Sequence, residues 1–394
     1  MAFDGVTVAA LVKEFNTTLK DGRIYKIAQT ESDELMLTFK ADKSQYRMLL
    51  SANASLPLIY FTNNNKPSPM TAPNFCMLLR KHINNGRIVS ITQPGLERIV
   101  DFEIQHLDEL GDIKIKHLII ELMGKHSNII FTDDNNMIID SITSVMSSVR
   151  QVLPGKPYFI PDTMDKRNPM EATRESFMET VFSKAMPVSK AIFTSYTGIS
   201  PAIAESLCFE NKLDSSMPAN VLAHGDQNLI WMSFYQLINR IKDGNFTPLI
   251  YEKNGKPEDF GAVPLSIYGD CTATNYESIS LLLEDFYSKK NLYTRMRQKS
   301  SDLRRIVSTA LERDRKKYNI QLKQMKDTEK KDKYKVYGEI LTAYGYSIEP
   351  GTKKFETENF YTGEPITIPL DETLSPIDNA KKFYDKYAKL KRTG

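Results

Sequence analysis

A run of sixty residues without proline, from 278 to 337, restricts the fold of this chain more than any other feature. Proline interrupts a helix because it lacks an N–H donor and clashes with the preceding turn, so its absence allows one long helix. Apolar residues recur at a spacing of seven in Leu311, Tyr318 and Met325, but the apolar stripe is thin and the charge density is high. The run therefore predicts one arm of an antiparallel coiled coil rather than a helix of a globular core.

The same region holds the positive charge of the protein. Residues 284–339 contain 17 Lys and Arg against 9 Asp and Glu, whereas the whole chain has a net charge of only +3. Such a local excess is typical of a surface that contacts nucleic acid, and equally of a helix that its charge keeps soluble. The sequence leaves both interpretations open.

The chain after this run predicts the far end of the arm. Residues 341–372 combine aromatic, glycine and β-branched residues and predict a small β unit. Ser375 and Pro376 then predict a new helix, because serine is a favoured N-cap and proline a favoured first helical residue. That helix would be the start of the returning arm, so we expect residues 278–394 to form a coiled-coil arm with a β tip.

The segment from residue 73 to 102 predicts a basic helix followed by two strands. Apolar residues between Phe75 and Ile83 define one face of the helix, and Arg80 and Lys81 stand near its end. Gly86 is expected to end the helix. An alternating strand, a Pro-Gly turn and a returning strand follow.

Glu97 and Arg98 stand side by side at the start of the returning strand. Neighbours on a regular strand point to opposite faces, so these two side chains can serve one ligand only from an irregular stretch. Adjacent opposite charges are also common on protein surfaces, where they contribute little to stability. Taken alone, the dipeptide favours the surface interpretation.

The pattern up to residue 174 predicts a domain of mixed strands and helices. We expect a helix over 6–19 and strands over 35–39, 128–132 and 137–142, the last two joined by an Asp- and Asn-rich turn. His117 is expected on a helix that ends near Gly124, which would place Lys125 close to the helix C-terminus.

Residues from about 175 to 245 have a helical pattern with a candidate helix-hairpin-helix motif. In such a motif a tight glycine turn opens the second helix, whose free N–H groups can hold a phosphate without reading bases. Gly198, Ile199 and Ser200 would form that turn, with Ser200 in place of a second glycine. A plain helical hairpin without a ligand fits the same pattern.

Several classes of site lack support in the sequence. The three cysteines, Cys76, Cys208 and Cys271, have no spacing typical of a zinc site or a disulfide framework. The histidines show no metal-ligand spacing, and no nucleotide-binding or hydrolase motif occurs. No segment approaches the ~20 apolar residues of a membrane span, and the N-terminus does not read as an export signal. We therefore expect a cytoplasmic protein with no cofactor and no metal.

Short motifs in the first 155 residues resemble the NFACT family, and together with the later helical region the resemblance covers essentially the whole chain. The resemblance rests on Phe3-Asp4-Gly5, Gly22-Arg23-Ile24, the segment around Glu97-Arg98, the run Glu121–Ile130 and Val152-Leu153-Pro154-Gly155. Family members carry an Asp-Arg pair where this chain has Glu97-Arg98. The resemblance implies that this pair binds tRNA and that Arg80 and Lys81 add affinity for phosphate.

The resemblance also implies an α+β architecture. Residues 1–174 would form an NFACT-N domain similar to the N-terminal domain of formamidopyrimidine-DNA glycosylase, residues 175–277 a helix-hairpin-helix domain and residues 278–394 the arm. Family proteins continue into the rest of the returning coil and a C-terminal domain termed NFACT-R. We therefore expect this chain to be a fragment that stops before that domain.

By the same resemblance, the chain would be a ribosome-associated quality control factor. It would bind large ribosomal subunits obstructed by peptidyl-tRNA, contact ribosomal RNA and proteins, and recruit tRNA. In bacteria this is chiefly alanyl-tRNA, and the stalled peptide gains a C-terminal tail without a template. The ribosome would perform the peptidyl transfer, so the chain itself would not be an enzyme.

Two other classes of function compete with this one. Some bacterial members have long been labelled fibronectin-binding, which implies a surface adhesin, but no export signal, anchor or repeat is evident in the sequence. A glycosylase would attack through an N-terminal proline followed by glutamate, whereas this chain begins Met1-Ala2-Phe3. Both alternatives therefore have less support than RNA binding.

Overall fold

The computed structural model describes residues 3–148, 150–160 and 165–393. The chain divides into two compact units, Met1–Tyr293 and Thr294–Gly394. The predicted domain boundaries near residues 174 and 277 stay predictions.

A nine-stranded antiparallel sheet dominates the first unit, in the order β4-β3-β2-β1-β5-β6-β7-β8-β9. The strands are β1 Arg23–Glu31, β2 Glu34–Ala41, β3 Ser44–Ser51, β4 Leu58–Phe61, β5 Arg87–Thr92, β6 Ile99–Leu107, β7 Ile113–Glu121, β8 Asn128–Asp133 and β9 Ile138–Ser141. The sheet consists of two meanders, β1–β4 and β5–β9. The two meanders join where β1 pairs with β5, with Arg23 opposite Arg87.

Two helices accompany this sheet, α1 (Gly5–Leu19) and α2 (Asn74–Ile83). Asp4 caps α1, since its carboxylate accepts the N–H of Thr7 at 2.9 Å. The buried ring of Phe15 on α1 lies 5.0 Å from the ring of Phe61 and 6.3 Å from that of Phe102. The predicted helix over 6–19 is therefore confirmed, and its apolar face packs on the sheet.

Two predictions in this region are wrong. The residues around His117 form β7, not a helix, because the apolar side chains there alternate and pair with strands on both sides. Lys125 consequently lies in a 3-10 turn, Gly124–His126, that joins β7 to β8.

Gly86 does not end α2 as predicted. The helix ends at Ile83, and Asn85 adopts the left-handed conformation with φ 62°. Gly86 is required for space instead, since a Cβ there would lie 2.7 Å from a side-chain carbon of Ile104. In the Asn85-Gly86 pair, the residue in the left-handed conformation after the helix is therefore Asn85 and not Gly86.

The rest of the first unit is largely helical. Its helices are α3 Arg174–Phe182, α4 Val188–Ser195, α5 Pro201–Glu210 and α6 His224–Lys242. Phe177 lies at the centre of an aromatic cluster, 5.2 Å from the ring of Trp231 and 4.7 Å from that of Phe234. Trp231 is buried.

Smaller strands complete the first unit. A hairpin of β10 (Val145–Met146) and β11 (Gln151–Val152) follows the large sheet. After α6, a three-stranded sheet is formed by β12 Leu249–Lys253, β13 Lys256–Gly261 and β14 Thr272–Asn275. The sequence did not predict these three strands. One hydrophobic core joins the large sheet, the helices and this small sheet.

The predicted long helix is present as α7 (Ile279–Glu329) and α8 (Lys331–Tyr344), which are separated only at Lys330. The hairpin of β15 (Lys354–Glu358) and β16 (Pro365–Pro369) confirms the β tip. Helix α9, Pro376–Thr393, begins where Ser375 and Pro376 predicted it. Phe383 of α9 packs against Tyr337 and Ile340 of α8.

The coiled-coil pairing of α7 stays a prediction. Among the side chains that the structure describes on this helix, Leu303, Ile306, Val307 and Leu311 are exposed by 61% to 66%. The helix that returns from the tip, α9, packs on α8.

Candidate functional site

Glu97 and Arg98 lie in a loop between two strands, where β5 has ended at Thr92 and β6 begins at Ile99. The loop turns at Gly95, which has φ 53°, and the N–H of Glu97 donates to the carbonyl of Pro94 at 2.9 Å. Glu97 is half-buried and Arg98 is exposed. Both residues therefore occupy the irregular stretch that a shared ligand would need.

The loop is held by two glycines that are distant in sequence. Leu96 is buried, and a Cβ at either Gly5 or Gly198 would lie 2.1 Å from its carbonyl oxygen. The N–H of Gly5 donates to the carbonyl of Gly198 at 3.0 Å, so the glycines also bond to each other. The side-chain amide of Gln93 donates to the carbonyls of Gly5 and Glu97 at 2.9 and 2.7 Å. These contacts leave the loop little freedom to move.

The predicted hairpin is therefore a neighbour of the Glu97-Arg98 loop. Gly198, with φ 75°, lies in the connection from α4 to α5, so the predicted glycine turn between two helices is present. Ile199 and Ser200 are both buried, and the Ser200 hydroxyl caps α5 by accepting the N–H of Ile203. The next residue, Pro201, has no N–H to offer. The turn thus joins the helical region to the loop, and phosphate binding by the turn stays a prediction.

The carboxyl group of Asp4 lies behind this turn. Burial raises the pKa of Asp4 above its ordinary value, although hydrogen bonds from Thr7 and Ser200 oppose the shift. Because Asp4, Ile199 and Ser200 are buried, this side of the turn offers no open surface to a phosphate. An anionic ligand is therefore expected on the solvent side, at Arg98.

The segment from residue 165 to 173, called the linker below, precedes α3 and contacts the same loop. The side chain of Asn168 lies over Gly95, where a Cβ would come within 3.0 Å of the amide oxygen. The N–H of Arg167 donates to the carbonyl of Ser195 at 2.8 Å, and the N–H of Thr197 donates to the carbonyl of Arg167 at 3.0 Å. The linker is thus fixed to both the loop and the hairpin.

This linker brings cations to the site. Partial burial lowers the pKa of Lys166, the charges of Arg98 and Lys184 lower it further, and the charge of Glu97 raises it. Lys166, Lys184 and Arg98 therefore lie near one another and near Glu97. The sequence contains no indication of Lys166 or Lys184 as site residues, because neither residue belongs to a motif.

A buried ion pair supports the start of β6. The N–H of Leu122 donates to the carbonyl of Arg98 at 2.8 Å, and the preceding residue, Glu121, is fully buried. The guanidinium of Arg150 donates to both carboxylate oxygens of Glu121, at 2.7 and 2.8 Å, and the hydroxyl of Tyr158 donates at 3.0 Å. A bidentate pair of this kind fixes geometry as well as charge.

Arg80 and Lys81 lie at the other end of the sheet. The Nε of Arg80 donates to the carbonyl of Ile27 at 2.9 Å, and the Nζ of Lys81 lies 3.8 Å from Glu109, just beyond the far end of β6. At about 3.4 Å per residue, the nine residues of β6 span roughly 27 Å. One nucleotide therefore cannot contact both Lys81 and Arg98, and the contribution of Arg80 and Lys81 to phosphate affinity stays a prediction.

Within the described residues, no group of three or more His, Cys, Asp or Glu side chains is arranged to hold a metal ion. In that same part of the chain, no helix is both long enough and apolar enough to cross a bilayer.

Comparison with known proteins gives the family. The family model described as NFACT N-terminal and middle domains matches residues 4–394. A protein named Rqc2 homolog RqcH, from Bacillus subtilis (strain 168), is 34% identical over 402 residues, which cover 100% of this chain and 68% of that protein. Ribosome quality control complex subunit NEMF from Homo sapiens is 24% identical over 316 residues, 73% of this chain and 28% of that protein.

Solved structures share the fold. The N-terminal part of the fibronectin/fibrinogen-binding protein from Streptococcus suis superposes with a TM-score of 0.61 at 27% identity, and covers 73% of this chain and 99% of that chain. The fibrinogen binding protein from Staphylococcus aureus gives a TM-score of 0.63 at 27% identity over the same shares. Because the family model matches almost every residue, the chain belongs to the NFACT family.

Proposed function

We propose that this chain is a ribosome quality control factor and that the loop with Glu97 and Arg98 binds tRNA. The observation that carries the proposal is the exposed guanidinium of Arg98, on a loop fixed by Gly5 and Gly198 and accompanied by Lys166 and Lys184. A rigid site with an excess of cations suits a polyanion. The names of the relatives, Rqc2 homolog RqcH and ribosome quality control complex subunit NEMF, support the ribosomal context.

In this proposal the chain engages large ribosomal subunits that carry peptidyl-tRNA and recruits tRNA, alanyl-tRNA in particular. The stalled peptide then receives a tail without a template, and the ribosome performs the transfer. The basic surface of α7 contacts ribosomal RNA, which makes binding dependent on salt. The chain contributes binding and positioning rather than chemistry of its own.

The two residues of the pair have different roles in this site. The Arg98 guanidinium presents five donors in a plane and can contact two phosphate oxygens or a base edge at once. The Glu97 carboxylate accepts from a base amine or a ribose 2′-hydroxyl, which would favour RNA over DNA. Because it is half-buried, it holds its orientation better than an exposed acid would.

Arg98→Ala is expected to weaken tRNA binding about ten- to a hundredfold, which corresponds to about 1–3 kcal/mol for a charge-assisted contact. The measurement is a titration of labelled tRNA at several salt concentrations, with Glu97→Gln beside it. Lys256→Ala, which removes an exposed lysine of β13, is the matched control. Unchanged binding in both Arg98→Ala and Glu97→Gln would refute the assignment of the site.

Lys166→Ala is expected to weaken tRNA binding more uniformly and to reduce the dependence on salt. A lysine that contacts one phosphate contributes about one unit to the slope of log affinity against log salt concentration. The slope for Lys166→Ala should therefore be smaller than that for Lys256→Ala by about that amount. Equal slopes for the two variants would place Lys166 outside the RNA interface.

The structural relatives named for fibronectin and fibrinogen provide a second candidate, an adhesin. The same titration distinguishes the two functions when a fibronectin fragment and a damaged DNA duplex replace tRNA. Binding to the fibronectin fragment alone would favour the adhesin, and binding to damaged DNA alone would favour a glycosylase-like role. We expect tRNA to bind more tightly than either.

A further inference from the structure

We propose that the end of the large sheet farthest from Arg98 carries a second RNA site, a groove that binds the phosphate backbone of a single strand. The inference rests on the proposed function, because it adds a second contact for RNA on the same protein. The groove lies between the C-terminus of α2 and the connection from β6 to β7.

The size of the groove suits a strand rather than a single nucleotide. It consists of two adjoining clefts of about 460 and 540 Å³ that share a wall of Lys81, His82, His106 and Leu107. A pocket of about 300–1,000 Å³ holds one small organic ligand, so each cleft accommodates about one nucleotide. Two clefts in contact therefore match consecutive nucleotides of one chain.

Cations from four elements of the fold line the groove. They are Arg23 of β1, Lys81 of α2, Arg87 of β5, and Lys114 and Lys116 of β7. The acids at the groove are Asp108 and Glu109, and Asp21 pairs with Arg87. The cations exceed these acids by two even with both histidines neutral. This surplus favours an anionic ligand.

The lysines of the groove are only weakly neutralised. The Nζ of Lys81 lies 3.8 Å from Glu109, and the Nζ of Lys114 lies 3.9 Å from Asp108. In the first pair, 67% of the lysine side chain and 88% of the glutamate side chain are exposed. Exposed ion pairs are worth about 0–1 kcal/mol, so a phosphate can displace these carboxylates at little cost.

The two arginines are held in place before a ligand arrives. The Nε and Nη2 of Arg87 donate to the amide oxygen of Gln105 at 3.0 and 2.5 Å, and Nη1 donates to Asp21 at 2.7 Å. The Nη1 of Arg23 donates to the carbonyl of Asn85 at 3.0 Å. Because these contacts fix the guanidinium groups, binding loses less side-chain entropy.

His106 adds a polar group to the shared wall. Its Nδ1 lies 3.1 Å from the carbonyl of Leu107, so this nitrogen carries the proton of the neutral ring. Its Nε2 is buried and has no hydrogen-bond partner among the described residues. A buried acceptor without a partner costs free energy. Because solvent does not reach Nε2 in this conformation, a ribose hydroxyl or base amine could donate to it only after the ring turns toward the cleft.

The test is the affinity of a short unstructured oligouridylate for the double variant Lys81→Ala/Lys116→Ala across a salt series. Single-stranded contacts contribute about 0.7 per phosphate to the log–log salt slope, so the loss of two contacts should reduce it by about 1.4. Lys242→Ala/Lys256→Ala removes two exposed lysines that do not line the groove and is the matched control. Equal slopes in the two double variants would overturn the proposal.

Two further experiments distinguish the possible outcomes. Crosslinks from 4-thiouridine in the oligonucleotide are expected in the peptides that contain Lys81 and His106, and their absence there would overturn the site. Adenosine 5′-monophosphate is expected to compete weakly with the oligonucleotide. Competition at a concentration equal to that of the oligonucleotide would instead assign the groove to a free nucleotide.

The failure of this site and of the proposed function can be told apart. Arg98 lies beyond the opposite end of β6, so Arg98→Ala and the groove variant should add in free energy when combined. If Arg98→Ala leaves tRNA binding intact while the groove variant lowers the salt slope, the loop assignment fails and the groove stands. If only Arg98→Ala weakens binding, the groove assignment fails alone.

Discussion

Arg150→Met is expected to lower the free energy of unfolding by about 3–5 kcal/mol, because it leaves the carboxylate of Glu121 buried without a cation. Glu121 is fully buried, and only 14% of the Arg150 side chain is exposed. Methionine retains much of the length of the side chain but none of its donors, so packing changes less than charge. Urea unfolding of the wild type and the variant gives the difference directly.

A matched variant separates burial from the mere loss of an ion pair. Arg87 forms an ion pair with Asp21 at the same distance, 2.7 Å, but the side chains are 40% and 62% exposed. Arg87→Met removes this exposed pair and the hydrogen bonds to Gln105, and should therefore cost only about 1–2 kcal/mol. A loss in Arg150→Met no larger than that in Arg87→Met would contradict the prediction. In the double variant Glu121→Leu/Arg150→Met, much of the stability should return, since an apolar pair can replace a buried ion pair.

Gly198→Ala is expected to destabilise the protein and to displace the loop that carries Glu97 and Arg98. The new Cβ would lie 2.1 Å from the carbonyl oxygen of Leu96, and a shift of the Gly198 backbone away from Leu96 would strain the hydrogen bond that its carbonyl accepts from Gly5. Overpacking of a fixed site costs about 1–3 kcal/mol, and the left-handed conformation adds about 1–2 kcal/mol for a residue with a Cβ. Thermal unfolding and tRNA binding should both be impaired.

Gly155→Ala provides the control for this substitution. Gly155 has φ 77°, close to the 75° of Gly198, but no atom lies within 4 Å of a Cβ placed there. It should therefore show only the conformational cost, with tRNA binding unchanged. Equal losses of stability in the two variants would mean that the contact with Leu96 does not constrain the loop.

Much of the fold could be predicted because hydrophobic periodicity and end signals agree locally. Helix α9 begins at the predicted place, where Ser375 caps it, and the predicted helix over 6–19 is present as α1, with Asp4 as its cap. The prediction failed at β7, where the run from Ile113 to Glu121 has an apolar second half that suits a helix as well as a buried strand. Only pairing with the neighbouring strands on both sides decides between them.

The candidate site was predictable only in part, because its geometry depends on contacts between distant residues. The sequence indicated that Glu97 and Arg98 need an irregular stretch, and a turn residue, Gly95, precedes them. The sequence did not indicate that Lys166 lies near Arg98, because this proximity depends on the path of the linker in the folded protein. It also grouped Lys81 with Arg98, which β6 separates by its full length.

The contact of Gly5, Leu96 and Gly198 also determines when the loop can form during synthesis. Its three parts are spread over nearly two hundred residues, so they meet only after the chain has been made past the hairpin. A nascent chain that ends before Gly198 lacks one of the two glycines that hold Leu96, although all the strands of the large sheet are already present. The loop that carries Arg98 is therefore completed late in synthesis, and a copy of this protein that ends before Gly198 would lack that site even with its large sheet complete.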